Sequence, residues 1–180
     1  MTPPGLTIRR GTLRDAEAMA RQVAEAFEDY RSWAPIGWRP PDVTGPAGMA
    51  RLLERMHHPR SWSLVAVGPG GGLAGHILFW PARDDDGREL EGVAGIVDVF
   101  VDPAWFGRGL AADLLERAVA EMRRQGYRAT RLWTPAGQRR ARAFYAREGW
   151  SPTGREMLDE GLGLAVVELG RQLGPEACDH

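Results

Sequence analysis

Apolar residues recur along the chain with two periods. Ala16, Met19, Ala20, Val23, Ala24 and Phe27 are spaced as one face of a helix, and so are Leu110, Leu114, Leu115, Ala118, Val119 and Met122. The first stripe predicts a helix ending near Tyr30, capped by Thr12 or Asp15. The second predicts a helix from Gly107 to Gln125, with Gly126 placed to stop it. Shorter helices are expected over Ala47–Met56, broken by His57, His58 and Pro59, and over Gln138–Glu148, ended by Gly149. Strand patterns fall on Leu6–Arg9, Trp62–Val67, Leu73–Trp80, Val93–Val101 and Ala129–Trp133, with more strand from Trp150 and a last apolar segment, Leu162–Leu169. Between them, Trp33 to Gly48 is dense in Pro and Gly and reads as a shaped loop. Its Trp33 and Trp38 either line a pocket or pin the loop to the core. Arg83–Glu91 reads as an exposed polar loop, and Asp84, Asp85 and Asp86 within it lack the spacing of a metal site.

This order of elements implies an α/β sandwich around a mixed sheet in a single domain, residues 1–180, with 171–180 as a flexible tail. Composition narrows the class. At 180 residues, 43% hydrophobic and net charge -1, the chain has enough material for a full core and no basic excess for nucleic acid. All basic side chains are arginine, because the sequence contains no lysine, which excludes lysine Schiff-base chemistry. The single cysteine, Cys178, cannot form an internal disulfide. No apolar run is long enough to span a membrane and Met1–Leu6 lacks signal-peptide character, so the expected location is cytoplasmic.

The most informative segment is Val99-Phe100-Val101-Asp102-Pro103-Ala104-Trp105-Phe106-Gly107-Arg108-Gly109-Leu110-Ala111, a strand, a tight turn and a helix start. A helix N-terminus presents free N–H groups and the positive end of aligned peptide dipoles, which suits a phosphate or diphosphate. Gly107 and Gly109 permit close approach and unusual torsions, and Arg108 adds charge at the rim. Glycine spacing alone fits equally a helix start packed tightly on its sheet. A P-loop would need a lysine, and a dinucleotide fingerprint would need a third glycine after an early strand.

The segment Val101 to Leu115, together with Ala141, Phe144-Tyr145, Gly149 and Trp150, resembles the GNAT superfamily of acetyl-CoA-dependent N-acetyltransferases. The resemblance extends over about Ile8–Leu169 and is strongest over Val93–Trp150. It implies a GNAT-like, mostly antiparallel sheet of six to seven strands, about four flanking helices and a splayed central strand pair, here Val93–Val101 and Ala129–Trp133. The family's Gln/Arg-x-x-Gly-x-Gly/Ala diphosphate motif falls on Phe106, Gly107, Arg108, Gly109, Leu110 and Ala111, with Phe106 in place of the polar first residue. The Asn-x-x-Ala-x-x-Phe-Tyr-x-x-x-Gly-Phe signature falls on Gln138, Ala141, Phe144-Tyr145, Gly149 and Trp150, with Gln138 for asparagine and Trp150 for phenylalanine. By the same resemblance, the backbones of Val99 and Val101 meet the acetyl-pantetheine arm, the Val99 N–H polarises the thioester carbonyl, and Tyr145 faces the departing sulfur.

Asp98 is the lone charge on its strand and is a candidate proton acceptor or amine contact. Simple alternation places it on the face opposite Val97 and Val99. His76 on the neighbouring strand, Glu28 near the end of the first helix, Trp33 and Trp133 complete the expected acceptor side. Cys178 lies outside every motif and no Gly-x-Ser-x-Gly elbow occurs, so a covalent relay has no support. The expectation is direct transfer of acetyl to a primary amine of a small molecule. The other reading is a noncatalytic acyl-CoA-binding module. A homodimer stays open, and neither the amine nor the acyl length is legible.

Overall fold

The two apolar periods build the two kinds of layer in the computed structural model, which describes residues 2–174. Strands β1 (Thr7–Arg10), β2 (Trp62–Val67), β3 (Leu73–Arg83), β4 (Glu89–Val101), β5 (Ala129–Pro135), β6 (Ser151–Asp159) and β7 (Leu164–Gln172) form one sheet in the order β1-β2-β3-β4-β5-β7-β6. Helices α1 (Ala16–Tyr30) and α2 (Pro46–His57) cover one face; α3 (Leu110–Arg124) and α4 (Arg139–Arg147) cover the other. All neighbouring strands run antiparallel except the β4–β5 pair. The expected architecture and strand number are therefore met.

The stripe of α3 is buried as its spacing requires. Leu110, Leu114, Leu115, Ala118, Val119 and Met122 pack on Ile77, Phe79, Ala94, Ile96 and Leu132. On the opposite face Met19 and Ala20 of α1 and Leu52 of α2 meet Val65 and Leu78. Gly126, at φ 83°, ends α3. Its N–H donates to Arg123 O at 2.9 Å, and Tyr127 N–H donates to Met122 O at 3.0 Å, the paired bonds of a Schellman stop.

Several boundaries differ from the sequence expectation. α3 starts at Leu110, because Gly107 and Gly109 adopt left-handed φ values of 72° and 80° and belong to the turn. The expected loop over Arg83–Glu91 is shorter than its bounds: β3 and β4 continue until Arg83 pairs with Glu89, leaving residues 84–88 as a turn closed by Asp84 N–H to Arg88 O at 2.8 Å. Polar side chains hide this extension, because residues 85–89 are exposed and need no apolar cover. The strand β7 continues through Gln172, and Leu173 is buried with its N–H bonded to Arg128 O, so ordered chain passes the expected tail boundary at 171. Cys178 lies outside the described residues.

The feature that shapes the site is a parallel ladder that stops early. β4 and β5 pair only from Val93↔Ala129 to Ile96↔Leu132. Beyond it β5 stays paired to β7 as far as Pro135↔Val166, while β4 stays paired to β3 as far as Gly75↔Val101. The split starts at a β-bulge: Leu78 opposes Asp98 and Phe79 opposes Ile96, so Val97 is the extra residue. The bulge also corrects the alternation argument. Val97 packs with Leu78 on the α1/α2 side, and Asp98, paired with Leu78, shares that side, whereas Val99 and Val101 pack towards α3.

A small acid-base clasp joins β1 to the start of α1. Arg9 grips Asp15 with two bonds of 2.8 and 2.9 Å, and Asp15 also accepts the Thr12 N–H at 2.8 Å. The Arg9 guanidinium, helped by the Thr12 amide, lowers the Asp15 carboxyl to about 2. A depressed folded-state value stabilises the fold above the unfolded carboxyl's range and loses that contribution as pH falls through the folded value. Between pH of about 4 and 2 the urea midpoint should therefore fall, and Asp15→Asn should flatten that part of the fall. Identical slopes in the two proteins over that window would remove the clasp from the acid response.

Candidate active site

The turn between β4 and α3 is built by local rules. Asp102 Oδ1 accepts the Ala104 N–H at 2.8 Å, which seats Pro103–Trp105 as one tight turn. The N–H groups of Trp105 and Phe106 donate back to Asp102 and Pro103. Bonding resumes with Asp113 N–H to Gly109 O at 3.0 Å, so the N–H groups of Leu110, Ala111 and Ala112 have no helical acceptor. A Cβ placed on Gly107 or Gly109 meets nothing within 4 Å. Open space thus adjoins donors and the positive end of a fifteen-residue helix, and these residues fit a diphosphate. The Leu110 side chain is buried, so only its main chain is available to a ligand; the half-buried Val99 and Val101 side chains likewise pack into the core.

Phe106 has a partner that the sequence did not reveal. The guanidinium of Arg140, from α4, stands 3.7 Å from the Phe106 ring centroid, and that of Arg108 stands 4.9 Å from Trp105. A guanidinium from another element thus stands over position 106. Ala141 lies one residue further along α4, packed against the core, and Gln138 occupies the N-cap position without a side-chain cap bond.

Tyr145 is fixed by the way α4 ends. Gly149, at φ 84°, allows Trp150 N–H to donate to Tyr145 O at 2.9 Å and Gly149 N–H to donate to Ala146 O at 3.2 Å. This second Schellman stop folds Trp150 onto Tyr145, with ring centroids 5.9 Å apart. Phe144 holds the other side at 5.2 Å. Burial pushes the Tyr145 phenol well up, with Tyr30 and the Asp98 carboxylate adding to the effect. The phenol is therefore a neutral donor across the ordinary pH range.

The α1 side of the split is walled by aromatic rings. Tyr30 lies 5.2 Å from Phe27, 4.7 Å from Trp33 and 6.0 Å from Trp38, and Phe27 meets Phe100 of β4 at 6.4 Å. Trp38 Nε1 donates to Leu162 O at 2.8 Å, tying this loop to the β6–β7 connection. Trp33 also lies against the turn before α4, where a Cβ on Gly137 would come within 2.8 Å of its ring. Burial pushes the Tyr30 phenol up to about 12, against the pull of a hydrogen bond with Gln138, and the Asp98 carboxylate adds to the rise. Both phenols thus lie within the electrostatic field of Asp98.

The remaining expected residues divide. Asp98 is 16% exposed and stands 3.8 Å from His76 Nε2. His76 is fully buried, so it cannot touch a diffusing substrate directly as expected. Glu28 is exposed on the last turn of α1 and pairs with Arg31 at 2.7 Å, outside the aromatic group. Trp133 is half-buried beneath the Arg155 guanidinium at 5.3 Å, and Arg155 in turn binds the buried Glu168 together with Arg131. Sequence reasoning missed Tyr30, Phe100, Gln22 and Arg140. The signal for Tyr30 was its place at the end of the α1 stripe; the others carried none.

With this geometry in view, similarity to known proteins is informative. The profile of the Acetyltransferase (GNAT) family matches residues 23–150, well over half of the chain. An uncharacterized N-acetyltransferase of Methanocaldococcus jannaschii is 36% identical over 62 residues, which is 34% of this chain and 27% of that protein. The paia N-acetyltransferase of Thermoplasma acidophilum, solved in complex with coenzyme A, superposes with a TM-score of 0.70 at 14% identity, covering 96% of this chain and 99% of that one. The structure of yncA from Salmonella typhimurium, solved with its cofactor acetyl-CoA, gives 0.68 at 22% identity, covering 97% and 98%. Among the described residues no helix is long and apolar enough to cross a membrane. The early-ending β4–β5 ladder, the glycine turn ahead of α3 and the family match over residues 23–150 agree: the chain belongs to the GNAT family of acetyltransferases.

Proposed function

We propose that the chain transfers acetyl from acetyl-CoA to the primary amine of a small molecule by direct attack, with both substrates bound together. The observation that carries this reading is the split beyond Ile96↔Leu132, which adjoins the glycine turn and Tyr145 on one side and the aromatic wall on the other. A single cleft with two differently lined approaches suits two substrates meeting at one point.

The cofactor supplies an activated acetyl thioester. Main-chain N–H groups from Gly107 to Ala111, with Arg108 and Arg140, hold its diphosphate. The backbones of Val99 and Val101, with Gln138 and Ala141, hold its arm. The Val99 N–H donates to the thioester carbonyl oxygen, where negative charge develops; one such donor is worth roughly 3 kcal/mol in other enzymes. Asp98 meets the amine and takes its proton. Tyr145 donates a hydrogen bond to the leaving sulfur. A neutral, buried phenol supports that role better than full proton release, since a thiol is ordinarily the stronger acid. Trp33 and Trp133 flank the acceptor, and the enclosing rings favour a small amine with an apolar body. A cytoplasmic location fits the need for acetyl-CoA.

Calorimetry with acetyl-CoA and coenzyme A, followed by thiol release with phenethylamine, tryptamine, glycinamide and putrescine, tests the reading. Tight binding with no turnover of any amine would favour a noncatalytic acyl-CoA module. Tyr145→Phe should lower kcat by about 10- to 100-fold while coenzyme A affinity stays within about twofold. Equal kcat in the two proteins would take Tyr145 out of the reaction. Gly109→Val forces a left-handed torsion on a β-branched residue, at a cost of about 1–2 kcal/mol. Coenzyme A should then bind roughly tenfold more weakly. Undiminished affinity in a folded Gly109→Val protein would move the diphosphate elsewhere.

A further inference from the structure

Behind Asp98 lies a buried chain of polar groups with one unfilled position. Gln22 of α1 donates from Nε2 to Leu73 O at 3.3 Å, which leaves its Oε1 as an acceptor. That oxygen lies 2.6 Å from His76 Nδ1, so Nδ1 carries the proton. The neutral ring then has a bare lone pair on Nε2. Nε2 is fully buried, has no hydrogen-bond partner and faces Asp98 Oδ2 at 3.8 Å. Two acceptors thus face each other. A histidine kept only for structure has both nitrogens satisfied, because an unpaired buried acceptor costs stability.

We infer that His76 is a proton reservoir for Asp98, and that Gln22 is the positioning residue that keeps Nε2 unprotonated to receive; this rests on the reading of Asp98 as the amine contact. The arrangement gives the proton one route. His76 is buried throughout, with Phe100 stacked over its ring at 5.8 Å, whereas Asp98 is partly exposed at the split. A substrate ammonium gives a proton to Asp98: an N–H bond breaks and an O–H bond forms. That O–H then breaks as Nε2–H forms, leaving an imidazolium beside a restored carboxylate. The amine attacks as the free base. Its second proton leaves with the thiol, and the proton held on His76 returns through Asp98 to solvent. A small side-chain rotation closes 3.8 Å to hydrogen-bond distance.

The surroundings favour this exchange. From β4, Asp98 faces His76; from α1, Gln22 faces it, with Tyr30 further along; from α4, Tyr145 shares the field of Asp98; β2 contributes the apolar Val65.

The test uses two readouts on the full chain. The first is the 15N spectrum of the imidazoles in mildly alkaline solution without any amine, with His76 assigned from His76→Gln. His76 should show the Nδ1–H tautomer in the wild type and a mixture in Gln22→Leu. The second is the pH dependence of kcat/KM for whichever of the four amines turns over fastest. His76→Gln should lower kcat/KM at neutral pH by about 10- to 100-fold, with coenzyme A affinity unchanged. Gln22→Leu should move the acid limb down by about one pH unit, and Gln22→Glu, whose carboxylate strengthens the ring as a base, should move it up. A purely structural Gln22 would give no such opposed shifts. An Nε2–H tautomer in the wild type, or Gln22 variants whose limbs coincide with the wild type, overturns the reservoir. Wild-type kcat/KM in Asp98→Asn is a separate failure, because it removes the amine contact itself.

Discussion

The site exists because one ladder of strand pairing ends while the sheet around it continues. Main-chain N–H and C=O groups inside a sheet are normally paired, since leaving them unpaired and buried costs free energy. β4 and β5 stop meeting after Ile96↔Leu132, yet each stays anchored on its other side, to β3 and β7. The extra residue at Val97 turns β4 away and sets the facing of everything beyond it. Exposed main chain, a place for Asp98 and an approach to Tyr145 all follow from that single irregularity.

Glycines at two helix ends transmit the geometry. At the end of α4, Gly149 folds Trp150 back onto Tyr145, so the stop that shortens the helix also immobilises the phenol. At the start of α3, Gly107 and Gly109 replace a helical turn with an open one, and donors that would have been used internally remain available. In each case a backbone torsion open chiefly to glycine acts on a side chain or ligand several residues away.

The sequence carried the fold better than the acceptor side. Helical stripes and strand runs were legible because their periods are local, and the α3 stripe occupies the core as its spacing requires. The ends of β3 and β4 at Arg83 and Glu89 were not legible, because exposed strand ends carry no apolar signature. The facing of Asp98 misled because alternation holds only in an unbroken strand, and nothing in Gly95-Ile96-Val97-Asp98 announces a bulge. Glu28 and His76 were chosen for charge and chemistry; one proved exposed and paired with Arg31, the other fully enclosed. Arg140 over Phe106 joins residues of different elements, a relation that no local pattern encodes.

The bond from Trp38 to Leu162 spans 124 residues of chain, whereas the glycine turn and its flanking strand and helix are contiguous. Contacts between near neighbours close with little loss of chain entropy, and distant ones wait for the intervening chain to be organised. The strand, turn and helix from β4 to α3 can therefore close locally, whereas the Trp38 tie needs the intervening chain in place. The wall is thus fastened by a long-range tie, and it also meets the turn before α4, through Tyr30 at Gln138 and Trp33 at Gly137.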